Sequence, residues 1–107
     1  QMEYITTMHY INKYAKKGAK LLEIGAGTGR YSITLAKAGY DVTAVELVEH
    51  NLEVLKKNSE GIDNIQSYQG DALNLSHFED NSFDVTLYKK RTGQRVCAIK
   101  DSMFSTG

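Results

Sequence analysis

A chain of 107 residues has room for one small domain with a single modest core. With 41% hydrophobic and 24% charged residues it has the composition of a globular protein, and no apolar run approaches the roughly 18 residues a membrane span needs. The formal net charge is zero, and one cysteine excludes an internal disulfide.

The first residues carry Tyr4, Ile5, Met8, Ile11 and Tyr14 at three- and four-residue spacing, which predicts an amphipathic helix over residues 2–16. Lys16, Lys17 and Gly18 supply its end, with cations at the carbonyl pole and a glycine stop. Lys20 to Ile24 is a short apolar run leading into glycines, the pattern of a buried first strand. Thr28 to Ala38 returns to helical spacing and Gly39 closes it. A second strand is expected from Val42 to Val45, a second helix from Glu49 to Asn58, and a third strand from Ile65 to Tyr68. A fourth strand from Ser82 to Tyr88 follows an Asp-Asn-Ser turn at Asp80 to Ser82. Strands alternating with helices at this spacing imply βαβ units and a parallel sheet, with right-handed crossovers limiting the arrangements.

After Tyr88 the pattern stops, apart from a strand-like run at Val96 to Ile99. The charge changes there too. Residues 1–88 hold 8 Lys/Arg against 12 Asp/Glu, a net of −4, and residues 89–107 hold 5 against 1, a net of +4. The expected division is therefore a domain over 1–88 and a basic tail over 89–107 whose origin the sequence leaves open. Five cations without interleaved aromatics make a poor nucleic-acid footprint, so no nucleic-acid partner is expected.

The chemistry concentrates in Leu21-Leu22-Glu23-Ile24-Gly25-Ala26-Gly27-Thr28-Gly29-Arg30. A strand runs into a turn with glycine at every second position, and a helix follows. Glycine permits positive φ and close approach of a ligand to the backbone. Open α/β sheets bind ligands at this carboxyl edge. A dinucleotide fingerprint would place its third glycine at position 30, where Arg30 stands, and Glu23 beside the turn would repel a pyrophosphate. An acid there suits a cationic ligand without phosphate, such as S-adenosylmethionine with its ammonium and sulfonium.

Two further acids follow the next two strands. Glu46 stands 21 residues beyond Gly25, where this fold places a carboxylate for ribose hydroxyls, and Leu47 beside it offers an apolar wall for a base. Asp71, in Gln69-Gly70-Asp71-Ala72, is placed to accept from an adenine amino group while the Ala72 N–H meets a ring nitrogen. Each acid alone is better explained by a solvated loop or a helix cap. Three in register with the glycine turn are not.

Glu23-Ile24-Gly25-Ala26-Gly27-Thr28-Gly29 resembles motif I of the class I S-adenosylmethionine-dependent methyltransferases. Ala44-Val45-Glu46-Leu47, Gly70-Asp71-Ala72-Leu73 and Ser82-Phe83-Asp84-Val85-Thr86-Leu87 are similar to the acidic end of the family's second strand, its adenine-binding motif and its fourth strand. The resemblance covers residues 2–88. It implies a Rossmann-like three-layer α/β fold, here a partial parallel sheet ordered 3-2-1-4 that lacks the C-terminal strands of the full 3-2-1-4-5-7-6 sheet. It also implies methyl transfer to an unspecified acceptor. The cofactor-binding set expected is Glu23, Gly25, Ala26, Gly27, Gly29, Glu46, Leu47, Asp71 and Ala72, with no metal and no assigned catalytic residue.

Because the family pattern ends near residue 88, the chain reads as a truncated N-terminal half with doubtful turnover by itself. The alternative is a non-catalytic cofactor-binding fragment that dimerises, or assembles with another chain, through an open edge of the fourth strand, Phe83 to Tyr88. The lone Cys97 and the absence of a signal-peptide pattern make a cytoplasmic, membrane-free setting the expected one. His9, His50 and His77 sit on separate elements and read as surface residues. Arg30 has two readings, a partner for the methionine carboxylate or a solvated cation.

Overall fold

The computed structural model describes residues 11–13, 15–70, 83–89 and 95–99. Residues 11–13 are helical and Ile11 is fully buried; the rest of the expected first helix, 2–16, lies largely outside the described residues. Then follow β1 (Lys20–Ile24), α1 (Arg30–Lys37), β2 (Asp41–Glu46), α2 (Glu49–Asn58), β3 (Ile65–Gln69), β4 (Val85–Lys89) and β5 (Arg95–Ile99). They form one sheet ordered β3-β2-β1-β4-β5.

The first four strands are parallel, as expected, with Leu22 beside Thr43 and Thr86, and Thr43 beside Gln66. Leu21, Val42, Val85 and Leu87 therefore share one face of the sheet, and all are buried. The chain moves in one direction from β1 through β2 to β3, so right-handed crossovers put α1 and α2 on that same face. Leu35 and Ala36 of α1 pack with Leu21, Val42, Val85 and Leu87, and Leu52 and Leu55 of α2 pack with Ala26 and Ala44. Leu35 and Leu55 are fully buried, each contributing about 1.5–3 kcal/mol of transfer free energy.

Neither helix has a side-chain N-cap of its own. α1 opens on Gly29 in the left-handed region (φ 96°) and ends with Lys37 in its last turn, before Gly39 at φ 105°. α2 begins with Glu49 and ends with Lys56 and Lys57, charges that suit the two poles of a helix.

The tail departs from expectation. β5 pairs antiparallel with β4, from Val85 beside Ile99 to Lys89 beside Arg95. The edge of β4 is thus filled from within the chain, and the dimer expected through an open edge at Phe83 to Tyr88 has no free ladder to use. The reason is connection length. A parallel return needs a crossover of about a dozen residues or more, whereas the link here, 90–94, permits only a hairpin. The sheet therefore extends past residue 88, the expected domain boundary.

Candidate functional site

The strand order reverses at β1, where the chain runs outward to β3 and then returns to β4 on the other side. In open α/β sheets that reversal opens a crevice at the carboxyl ends of the strands. The glycine turn sits there, directly after Ile24, with Gly25, Gly27 and Gly29 at φ 76°, 62° and 96°.

The three glycines do different work. A methyl group built on Gly25 or Gly27 would meet nothing within 4 Å, so the turn faces open space at both positions. On Gly29 it would collide with Leu55 Cδ1 of α2 and come within 3.0 Å of Ile33 Cδ1. Gly29 is buried, so its missing side chain serves helix packing rather than ligand approach. Ala26 is 3% exposed with its methyl in the core beside Leu52 and Leu55, leaving only its backbone to serve a site.

The backbone donors of the turn are directed inward. Gly25 N–H and Ala26 N–H both donate to the Val45 carbonyl at the end of β2, at 2.8 and 3.0 Å, and Gly29 N–H donates to the Ala26 carbonyl at 3.1 Å. Gly27 N–H donates to Glu46 Oε1 at 2.7 Å. Oxyanion and phosphate sites in glycine turns depend on N–H groups converging on the ligand. Here those of Gly25, Ala26, Gly27 and Gly29 already have acceptors.

Glu46 is the hub of this arrangement and only 6% exposed. Its second oxygen, Oε2, accepts from Val48 N–H at 3.0 Å and from Asn51 Nδ2 at 3.4 Å, so one carboxylate joins the glycine turn to the start of α2. Charge-assisted bonds of this kind are about twice as strong as neutral ones. Glu23 is fully buried, and its Oε1 accepts from Ser32 Oγ of α1 at 2.5 Å. The structure therefore places Glu23 beneath α1, holding helix to strand.

The large exposed apolar side chains among the described residues also gather at this edge. Leu47 and Val48 follow β2 and are 55% and 50% exposed; Tyr68 and Tyr88 lie near the carboxyl ends of β3 and β4. Leu47, expected as an apolar wall, has its carbonyl tied to Gln69 Nε2 at 3.2 Å. Asp71 and Ala72 lie outside the described residues. The preceding Gly70 donates its N–H to the Glu46 carbonyl at 3.1 Å, which brings the end of β3 beside the same hub. His50 and Arg30 are exposed. His9 and His77 fall outside the described residues.

Sequence reasoning passed over Ser32, Asn51, Asn58 and the Val45 carbonyl. Asn58 Nδ2 donates to the Thr28 carbonyl at 3.2 Å, so the far end of α2 also holds the turn. Nothing in residue type marks such positions, but 51, 55 and 58 have the spacing of one helical stripe. Among the described residues no His, Cys, Asp and Glu group is arranged to hold a metal ion, and no helix is long and apolar enough to cross a membrane.

A mainly parallel α/β sheet with an acid-flanked glycine turn at its reversal point is an architecture that nucleotide- and nucleoside-binding domains share. The model of a family described as a methyltransferase domain matches residues 22–90, and the chain belongs to that family. Demethylmenaquinone methyltransferase of Staphylococcus aureus is 42% identical over 72 residues, which are 64% of this chain and 30% of that protein. The chain thus spans less than a third of the length of that relative.

Among solved structures, a Methanococcus maripaludis protein classed with the S-adenosyl-L-methionine-dependent methyltransferases superposes with a TM-score of 0.71 and 30% identity, over 84% of this chain and 42% of that one. A TehB-like S-adenosylmethionine-dependent methyltransferase of Corynebacterium glutamicum gives 0.64 and 26%, over 82% and 44%. The fold is that of the S-adenosylmethionine-dependent methyltransferases, represented in part.

Proposed function

We propose that the glycine turn and the ends of β2 and β3 bind S-adenosylmethionine, and that the chain is the cofactor-binding part of a methyltransferase. The observation that carries this reading is the closure of the turn upon itself. With the Gly25, Ala26, Gly27 and Gly29 amides committed to Val45, Glu46 and Ala26, and a buried carboxylate in the turn's own hydrogen-bond network, the site disfavours phosphate and favours a cation. Space above Gly25 and Gly27 receives the ligand backbone-close, and Leu47 offers the base an apolar wall.

Glu46 supplies the ribose contact. A carboxylate has about four lone-pair sites, so one hydroxyl can join the Gly27, Val48 and Asn51 donors and a second can displace the long Asn51 contact. Asp71 and Ala72 complete the set on the adenine side. When bound, the cofactor supplies an electrophilic methyl carbon on a sulfonium; attack by an acceptor breaks that carbon–sulfur bond and leaves a neutral thioether. The contribution of the protein is positioning. The described residues support cofactor binding, and turnover by this chain alone is expected to be weak. A cytoplasmic setting belongs to the same reading and rests on the single cysteine.

Calorimetric titration of the folded chain with S-adenosylhomocysteine tests it. One-to-one binding is expected, with no competition from a nicotinamide dinucleotide. A folded sample that binds the dinucleotide, or gives no heat with S-adenosylhomocysteine, overturns the reading.

A further inference from the structure

The glycine turn is the part of the site with the greatest freedom in the unfolded chain, since three of its five residues from Gly25 to Gly29 are glycine. A cradle for a ligand must nevertheless be rigid before the ligand arrives. On its inner side the turn is tied to β2, through Val45 and Glu46. On its outer side it meets one stripe of α2. Asn51 reaches Glu46 Oε2, Leu55 fills the space that a Gly29 side chain would occupy, and Asn58 Nδ2 donates to the Thr28 carbonyl. These residues are four and three apart, so they lie one above another on the helix.

We infer that α2 acts as a splint for the glycine turn and that Asn58 is a positioning residue for cofactor binding. Asn58 bonds the backbone of the turn and acts through it. It holds the peptide between Thr28 and Gly29, and so fixes where the open positions Gly25 and Gly27 face. This role rests on the S-adenosylmethionine site proposed above. It adds a residue that neither the glycine motif nor the acids mark.

Asn58→Ala and Asn58→Asp remove the donor. Asn58 is exposed at the last turn of α2, so both variants are expected to fold. Losing one hydrogen bond that orders the turn predicts about a three- to tenfold rise in Kd for S-adenosylhomocysteine. The melting temperature without ligand should move little, and amide exchange at Thr28 to Arg30 should quicken. Glu53→Gln, on the exposed side of α2, is the control and should change neither. If wild type binds and both Asn58 variants bind equally well, the splint is wrong and the site stands. A Kd change matched by equal loss of protection throughout the sheet would also refute it, because Asn58 would then be acting on global stability. If wild type itself does not bind, the failure belongs to the site.

Discussion

Replacing Gly29 with alanine separates the two uses of glycine in the turn. Gly29 has φ 96°, where an L side chain costs about 1–2 kcal/mol. The added methyl also collides with Leu55 Cδ1 and crowds Ile33 Cδ1 at 3.0 Å. Leu55 is fully buried against Ala26, Ala44 and Leu52, so it cannot swing aside without disturbing the α2 packing. Overpacking of this kind costs about 1–3 kcal/mol, giving a total near 2–5 kcal/mol. A domain of this size has about 5–15 kcal/mol in all. Gly27→Ala meets the same backbone strain but no neighbour, so about 1–2 kcal/mol is expected there. Urea unfolding followed by circular dichroism measures both, and the midpoints should fall in the order wild type, Gly27→Ala, Gly29→Ala. Equal losses in the two variants would refute the assignment of Gly29 to packing.

Glu46→Gln keeps an acceptor for Gly27 N–H but loses the charge; S-adenosylhomocysteine binding should weaken about ten- to a hundredfold by calorimetry, the range set by charged hydrogen bonds of ~1.5–3 kcal/mol. Ser32→Ala removes the 2.5 Å bond between α1 and the buried Glu23 and should cost about 0.5–1.5 kcal/mol in urea, with little change in binding where the variant is fully folded. Burial raises the Tyr40 hydroxyl above its ordinary 10.0, so the folded chain holds that proton longer than the unfolded chain. The associated stability is complete below pH 10.0 and declines as pH rises through the folded value. Tyr40→Phe should flatten that alkaline decline in a melting-temperature series, while losing the 3.2 Å bond to Asn12 Oδ1.

The parallel core was legible because its punctuation is local. Glycines end the helices, Lys56 and Lys57 mark the carbonyl pole of α2, and Lys20 to Ile24 and Glu49 to Asn58 appear with the expected bounds. Ser82, the expected start of the fourth strand, lies outside the described residues; β4 begins at Val85, past Phe83 and Asp84, and the reason is a side chain. Asp84 N–H donates to the Lys20 carbonyl while Lys20 N–H donates to Asp84 Oδ2, so a carboxylate takes the place of a ladder carbonyl. The orientation of Glu23 was hidden for a different reason. Leu21, Leu22 and Glu23 are all buried, and a strand covered on both faces has no alternation to show which way each residue points. β5 was legible only as a run of strand-forming residues. Its direction follows from the short link to β4, which fixes a hairpin.

On the proposed function, the motif at Glu23 to Gly29 divides folding from binding between its two ends and its middle. Glu23 and Gly29 face the helices, where Ser32 and Leu55 meet them, while Gly25 and Gly27 face the open edge. Glu46 belongs to both sets, because the carboxylate that would hold ribose also holds Gly27 and Val48. Linkage makes this division measurable, since a ligand that binds only the folded state adds RT ln(1 + [L]/Kd) to its stability. At about a hundred times Kd that increment is about 2.7 kcal/mol. Gly29→Ala should start from a lower melting temperature and regain only part of the increment with S-adenosylhomocysteine, because its methyl displaces the Leu55 that backs the turn. Gly27→Ala should start higher and regain little, because its new methyl occupies the space where the ligand would approach. A single thermal-shift experiment with both variants therefore distinguishes the residues that build the turn from the residues that present it.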